Sequence, residues 1–147
     1  MRSPSSTLVV DAAVLVAAAR GRSSGALLQA ARAARFVTTD RVVQEARRRI
    51  ELGLNRPELV PIIDALVAEM TVVPLAALTP LIEPSETALK NAVASGNGSK
   101  RDAHVLALAW SVAADIWTTD RDFAGTGVAS WSTRNLMRGM TALTFPL

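Results

Sequence analysis

The chain has 147 residues, half of them apolar, the usual size for one compact domain able to bury its own core. It contains no cysteine and one histidine, which excludes disulfides, thiolate nucleophiles and metal cages built on cysteine or histidine, so a catalytic metal must be held by oxygen. The formal net charge is only +3, but the basic residues are mostly arginine, whose planar fork of donors suits phosphate.

A single domain over residues 1–147 is expected, with 1–6 as a polar, flexible tail. Thr7 to Val10 is a short β-branched and apolar run suited to a buried strand, ending directly at Asp11. A helix follows through Arg20, stopped by Gly21. The apolar stretch from Leu8 to Ala19 superficially resembles the core of a secretory signal, but Asp11 interrupts it, and it is read as strand and helix. No apolar run reaches the roughly 18 to 20 residues that span a bilayer, so a soluble cytoplasmic protein is expected.

Ser23 or Ser24 can cap a second helix to about Ala34, and an extended piece follows at Phe36 to Thr38. Asp40 is placed to cap a helix on which Val42, Val43, Ala46 and Ile50 share a face, while Arg47 to Arg49 project outward. Pro57 opens a helical region to about Met70, and Thr71 to Val73 reads as a strand closed by Pro74. A helix from Ser85 to Ala94, a glycine-containing loop from Ser95 to Lys100 and a helix from Asp102 to Ala114 come next. The last of these is apolar nearly all round and should be buried. Ile116 to Thr118 is another strand, Val128 to Trp131 a last one, and Thr133 to Met140 a final helix. Strands separated by helices point to an α/β domain with a mainly parallel sheet.

In open parallel sheets the ligand crevice lies beyond the carboxyl ends of the strands. Asp11 falls there after the first strand, and Asp120 with Asp122 after the strand at Ile116. Asp102 begins the helix leading into that later strand, and Glu45 lies mid-helix. Each has a bland reading too: Asp11 and Asp102 as helix-terminal acids, Asp120 and Asp122 as a polar turn, Glu45 as a partner of Arg49 four residues on. His104, two positions after Asp102, faces away from it on a helix and is read as non-catalytic. Trp110, Trp117 and Trp131 stand in apolar settings and are read as core. Asp40, Asp64, Asp115, Glu51, Glu58, Glu69, Glu83 and Glu86 are read as caps or solvated acids.

The segments LVVDAAVLV, VVQEARR, KRDAHVLALAW and IWTTDRDF resemble, in order and approximate spacing, the four acidic motifs of PIN-domain ribonucleases, most nearly the VapC-type toxins. The resemblance runs from about Leu8 to Trp131. It implies a three-layer fold with a mainly parallel central sheet flanked by helices. It assigns catalysis to Asp11, Glu45, Asp102 and Asp120, and metal binding to Asp11, Asp102, Asp120 and Asp122. Thr118 matches a hydroxyl that would orient a carboxylate or water. One departure is Ala13, where family members often carry asparagine or serine; it removes a polar group beside the site.

Two like charges about 4 Å apart repel by roughly 4 kcal/mol at an effective dielectric near 20, so clustered acids call for a cation. Magnesium or manganese, which take oxygen ligands and keep open positions for phosphate, fit that need. Arg41, Arg47, Arg48, Lys100, Arg101 and Arg121 lie in the segments carrying the acids and are candidates for holding substrate phosphates. The resemblance further implies RNA as substrate, a small antitoxin protein as partner and a homodimer. The alternatives are a PIN nuclease processing RNA or DNA outside a toxin system, a catalytically weak PIN fold serving as a binding module, and a receiver-like signalling domain, which lacks the expected lysine after a late strand.

Overall fold

The computed structural model describes residues 2–92 and 100–144, with the backbone alone for 24, 100 and 142–144. Among the described residues five strands form one parallel sheet: β1 (Thr7–Val10), β2 (Arg35–Thr39), β3 (Thr71–Val73), β4 (Asp115–Trp117) and β5 (Ser130–Trp131), in the spatial order β3-β2-β1-β4-β5. Between β1 and β2 lie α1 (Ala12–Ala19) and α2 (Ser24–Ala31); between β2 and β3, α3 (Asp40–Arg48) and α4 (Val60–Ala68). α5 (Thr79–Ala92) and α6 (Ala103–Val112) link β3 to β4, and α7 (Thr133–Thr144) follows β5. The chain thus steps from β1 to β2 to β3 in one direction, then crosses back to β4 on the other side of β1. Because crossovers between parallel strands are right-handed, that reversal puts α5 and α6 on the face opposite α1, α3 and α4. The packing agrees: α1, α3 and α4 touch one another, while α6 lies against β1, β2, β4 and α5. The result is the expected three-layer α/β architecture with helices flanking a parallel sheet.

Burial explains the central elements. All three residues of β4 and three of the four in β1 are buried, as strands covered on both faces require. α6 is buried at every position from Ala103 to Ala109, in keeping with its all-round apolar sequence. In α3 the buried Val42 and Ala46, with Ile50 beyond, repeat every four residues and form the stripe that meets the core. After Arg48 the helix widens into a π turn, Arg49–Gly53, closed by Leu54 N–H donating to the Arg49 carbonyl at 2.8 Å. Trp117 is fully buried, tilted against Phe36 with ring centroids 5.9 Å apart, and its indole N–H donates to Thr133 Oγ1 at 3.0 Å. Among the described residues no helix is long and apolar enough to cross a membrane.

Several expected boundaries are corrected. The cap of α3 is Thr39, whose Oγ1 accepts from Val42 N–H at 3.0 Å; Asp40 instead accepts from Leu75 N–H at 3.0 Å, tying α3 to the turn after β3. Ser23 stands at the cap of α2 without a side-chain bond. α5 begins at Thr79 rather than Ser85 and carries Pro84 in its interior, because Ser85 and Leu89 are buried beyond it and that burial holds the helix together past the proline. The expected end of that helix at Ala94 and the loop from Ser95 lie outside the described residues. Near the amino terminus Pro4 is buried and Ser5 is fastened: its N–H donates to Asp115 Oδ2 at 3.0 Å, and Asp115 N–H donates to Ser5 Oγ at 2.9 Å. Asp115, read as a cap or solvated acid, is therefore a buried acceptor that also takes the Trp131 indole N–H at 2.9 Å and pairs with Arg2 at 3.6 Å.

Candidate active site

The strand order reverses between β1 and β4, so the crevice expected at such a switch point opens beyond Val10 and Trp117, which are paired in register. Asp11 and Thr118 are the next residues on those two strands. Asp11 N–H donates to the Trp117 carbonyl at 3.1 Å, continuing the ladder by one step, and the Thr118 hydroxyl donates to Asp11 Oδ2 at 2.7 Å. The other carboxylate oxygen of Asp11 accepts from Ala12 N–H at 2.7 Å, so the residue also caps α1. Asp11 is only 8% exposed. Burial pushes its carboxyl up from the ordinary range, and the two hydrogen bonds pull it part of the way back.

Thr118 works in two directions, since its Oγ1 also accepts from Asp120 N–H at 3.0 Å. Asp120 Oδ1 in turn accepts from Asp122 N–H at 3.0 Å, which folds the segment after β4 into a tight turn. Phe123, fully buried, pins that turn to the core, and Gly125, at φ +81°, lets it pass α5. A Cβ there would sit 2.8 Å from the Ala92 carbonyl oxygen, closer than the backbone allows. The acid, spacer, acid, aromatic pattern thus has a mechanical reading: the aromatic anchors the loop so that both acids face the crevice.

Asp102 arrives from the opposite layer, at the end of the 3-10 turn Lys100–Asp102 that opens α6. Asp102, Asp120 and Asp122 each offer an oxygen such that the three atoms lie within 4.8 Å of one another. Burial, then the negative charge of Asp11, and then the facing Asp122 and Asp120 carboxylates push the Asp102 carboxyl up to about 7. Asp122 is raised as well, by burial and by Asp120. Such mutual repulsion is what a cation relieves. The donor set fits a hard divalent ion: all oxygen, with no nitrogen or sulfur.

The remaining expected site residues distribute as follows. Glu45 is not among the three acids. Its carboxylate takes the Arg49 guanidinium at 2.8 Å, though its charge still reaches Asp11. Arg41, Arg48 and Arg101 line a groove of about 640 Å3 together with Gln44, Glu45, Arg49, Leu52 and Gly53. Arg47 does not line it and pairs instead with Asp64 at 3.1 Å, on the other side of the helix. Arg121 is exposed between the paired acids and does not line the groove, and the side chain of Lys100 lies outside the described residues. Sequence reasoning missed Gln44 and Arg49 as lining residues. The signal was present in the spacing 41, 44, 45, 48, 49, 52, one face of a helix that continues past Ile50.

His104 is buried in the first turn of α6, with Nδ1 2.8 Å from Thr39 Oγ1. Burial and then the charge of Arg41 push its imidazole down to about 4. It is neutral near pH 7.

A parallel α/β sheet with carboxylates gathered at its switch point, from three separate segments, defines a protein whose site is suited to a divalent cation. Residues 9–141 match the family model of the PIN domain, and the chain belongs to the PIN-domain family. The acid cluster is of the kind typical of PIN-domain nucleases. Among solved structures the chain is similar to VapBC2 from Rickettsia felis bound to a DNA fragment from its promoter. That match has a TM-score of 0.69 and 13% identity over 86% of this chain and 98% of the other. It is also similar to PAE2754 from Pyrobaculum aerophilum, with a TM-score of 0.60 and 16% identity over 92% of this chain and 96% of the other. At these identities the likeness is one of fold. A comparison with curated proteins found no significant match.

Proposed function

We propose that this protein is a magnesium- or manganese-dependent endoribonuclease, acting in the cytoplasm as the toxin of a toxin-antitoxin pair. The observation that carries the nuclease reading is the convergence of Asp102, Asp120 and Asp122 beside the Asp11–Thr118 pair at the switch point. In this reading Asp102, Asp120 and Asp122, with Asp11 beside them, hold the cation. When bound, that ion supplies the charge that neutralises a phosphodiester and activates water for attack. Asp11 is held in one orientation by Thr118 and Ala12, so its carboxylate would meet a bound ion without a search through rotamers. Glu45, which lines the arginine groove and pairs with Arg49, would take the proton that the attacking water loses. Arg41, Arg48 and Arg101 hold backbone phosphates, which position a strand without reading its sequence. A single strand or loop of RNA suits a groove of this kind because its backbone is accessible.

The toxin assignment rests on the motif resemblance to VapC-type proteins and on the fold likeness to VapBC2. It brings with it a small antitoxin that covers the acidic crevice, and a homodimer. Cleavage of an end-labelled mixed RNA panel by the purified protein, with magnesium or manganese and with EDTA, tests the reading. Metal-dependent cleavage that disappears in Asp11→Asn and Asp120→Asn supports it. A folded, antitoxin-free protein that cuts nothing would instead favour a binding module, for which the absence of a polar side chain at Ala13 is the motivating feature.

A further inference from the structure

The position of Asp102 is not set by capping: it stands at the amino end of α6 with no side-chain bond to the helix. Its carboxylate is placed by the facing Asp122 and by the first turn of α6 that carries it, and that turn contains one buried polar residue. His104 is 3% exposed, while its helical neighbours Ala103 and Val105 to Ala109 are all apolar and buried. Its Nδ1 meets Thr39 Oγ1 at 2.8 Å. That hydroxyl oxygen already accepts from Val42 N–H as the cap of α3, so its own hydrogen is available for the imidazole. The backbone of Arg101, one residue before Asp102, also lies near the ring. One imidazole thus ties the Asp102 turn to the amino end of α3, the helix that carries Arg41 and Glu45. The neighbouring hydroxyl, Thr38 Oγ1, donates to the Val10 carbonyl at 2.8 Å, so the same buried polar layer reaches the residue before Asp11.

We propose that His104 is a positioning residue for the cation site, holding Asp102 in register with Asp120 and Asp122 through its bond to Thr39. The inference rests on the metal-dependent reading above. Groups that orient metal ligands typically change metal affinity by roughly 10- to 100-fold when removed, whereas a merely space-filling core residue changes stability alone.

The test is manganese binding to the purified full-length chain without substrate, followed through the free-ion EPR signal, with thermal unfolding recorded alongside. His104→Leu is expected to weaken binding by about 10- to 100-fold while the protein remains folded. His104→Asn, whose amide oxygen can take the Thr39 proton where Nδ1 did, is expected to return to within about threefold of the parent. Should the leucine variant fail to fold, Thr39→Val removes the same bond from the other end and is expected to weaken binding as the leucine would. Parental affinity in a folded His104→Leu, or in Thr39→Val, overturns the inference and leaves the nuclease reading standing. Equal loss in the leucine and asparagine variants also overturns it, since packing rather than the hydrogen bond would then be at work. A parent protein that binds no manganese overturns both.

Discussion

At the scale of single residues, Thr118 joins two of the acids through one hydroxyl. It donates to Asp11 and accepts from the backbone of Asp120, so it sets the spacing between the end of β1 and the turn after β4. Thr118→Val keeps the shape and removes both bonds. Cleavage at saturating RNA should fall by roughly 10- to 100-fold, with a higher magnesium requirement and a stability loss of about 1–3 kcal/mol, while Thr118→Ser retains most activity. A magnesium titration of cleavage beside a urea melt checks both parts. The titrating groups pull in opposite directions. Asp102 is raised to about 7 in the fold, so the native state holds a proton that the unfolded chain has already lost, and its contribution to stability declines as pH rises from about 4 through 7. His104 is lowered from 6.5 to about 4, so the unfolded chain takes the proton first, and its contribution grows with pH across that window. Between about pH 6.5 and 7.5 the folded Asp102 holds more of its proton than the unfolded histidine holds of its own, so the acid sets the sign. In EDTA the urea midpoint should therefore drop between pH 6.5 and 7.5, and Asp102→Asn should flatten that drop; a flat parent profile would contradict the assignment. The placement of the acids was legible in the sequence: Asp11, and Asp120 with Asp122, follow strands, and Asp102 opens the buried helix before β4. Thr39 and His104 were not, since their meeting depends on how α3 and α6 cross.

At the scale of elements, the helix from Asp40 through the π turn to Gly53 presents two faces. Val42, Ala46 and Ile50 enter the core, while Arg41, Gln44, Glu45, Arg48, Arg49 and Leu52 border the groove. The π turn, a geometry often found at functional sites, carries the groove face past the end of the α-helical hydrogen bonds. Replacing Arg41 and Arg48 by alanine should weaken RNA binding and reduce its salt dependence by about 0.7 in slope for each phosphate no longer neutralised. Arg47→Ala should leave the slope unchanged, because that side chain is engaged with Asp64 away from the groove. Fluorescence anisotropy of a labelled single strand at several salt concentrations separates the two variants; equal effects would remove the distinction between the faces. Periodicity made the inner face of this helix readable. Its cap was misread because Thr39 and Asp40 are both good caps, and Asp40 is drawn off by Leu75 N–H, a partner 35 residues away. The start of α5 was read six residues late, at Ser85, because a proline inside a helix runs against local rules and the burial of Ser85 and Leu89 beyond it overrides them.

At the scale of the molecule, alternating strands and helices implied a parallel sheet, but not which strand would lie beside β1. That neighbour is what makes the site: with β4 there, carboxylates separated by 109 positions in the case of Asp11 and Asp120 come to one crevice, and with any other order they would not. The arrangement also sets stability against function, since the acids repel in the fold and are apart in the unfolded chain. Magnesium that binds the fold alone adds about 2.7 kcal/mol at 100 times its dissociation constant. For a chain of this size that is a rise in melting temperature of roughly 5 to 11 °C over the EDTA-treated protein. Asp120→Asn keeps an amide oxygen able to accept from Asp122 N–H, so the turn survives while one repelling charge is removed. The variant should therefore melt higher than the parent in EDTA and gain less from magnesium, so that the two proteins exchange order as the metal is added. Calorimetry of both proteins across a magnesium series measures this. Parallel responses would mean that Asp120 takes no part in holding the cation, and an Asp120→Asn protein less stable than the parent without metal would mean that the cluster is not under electrostatic strain.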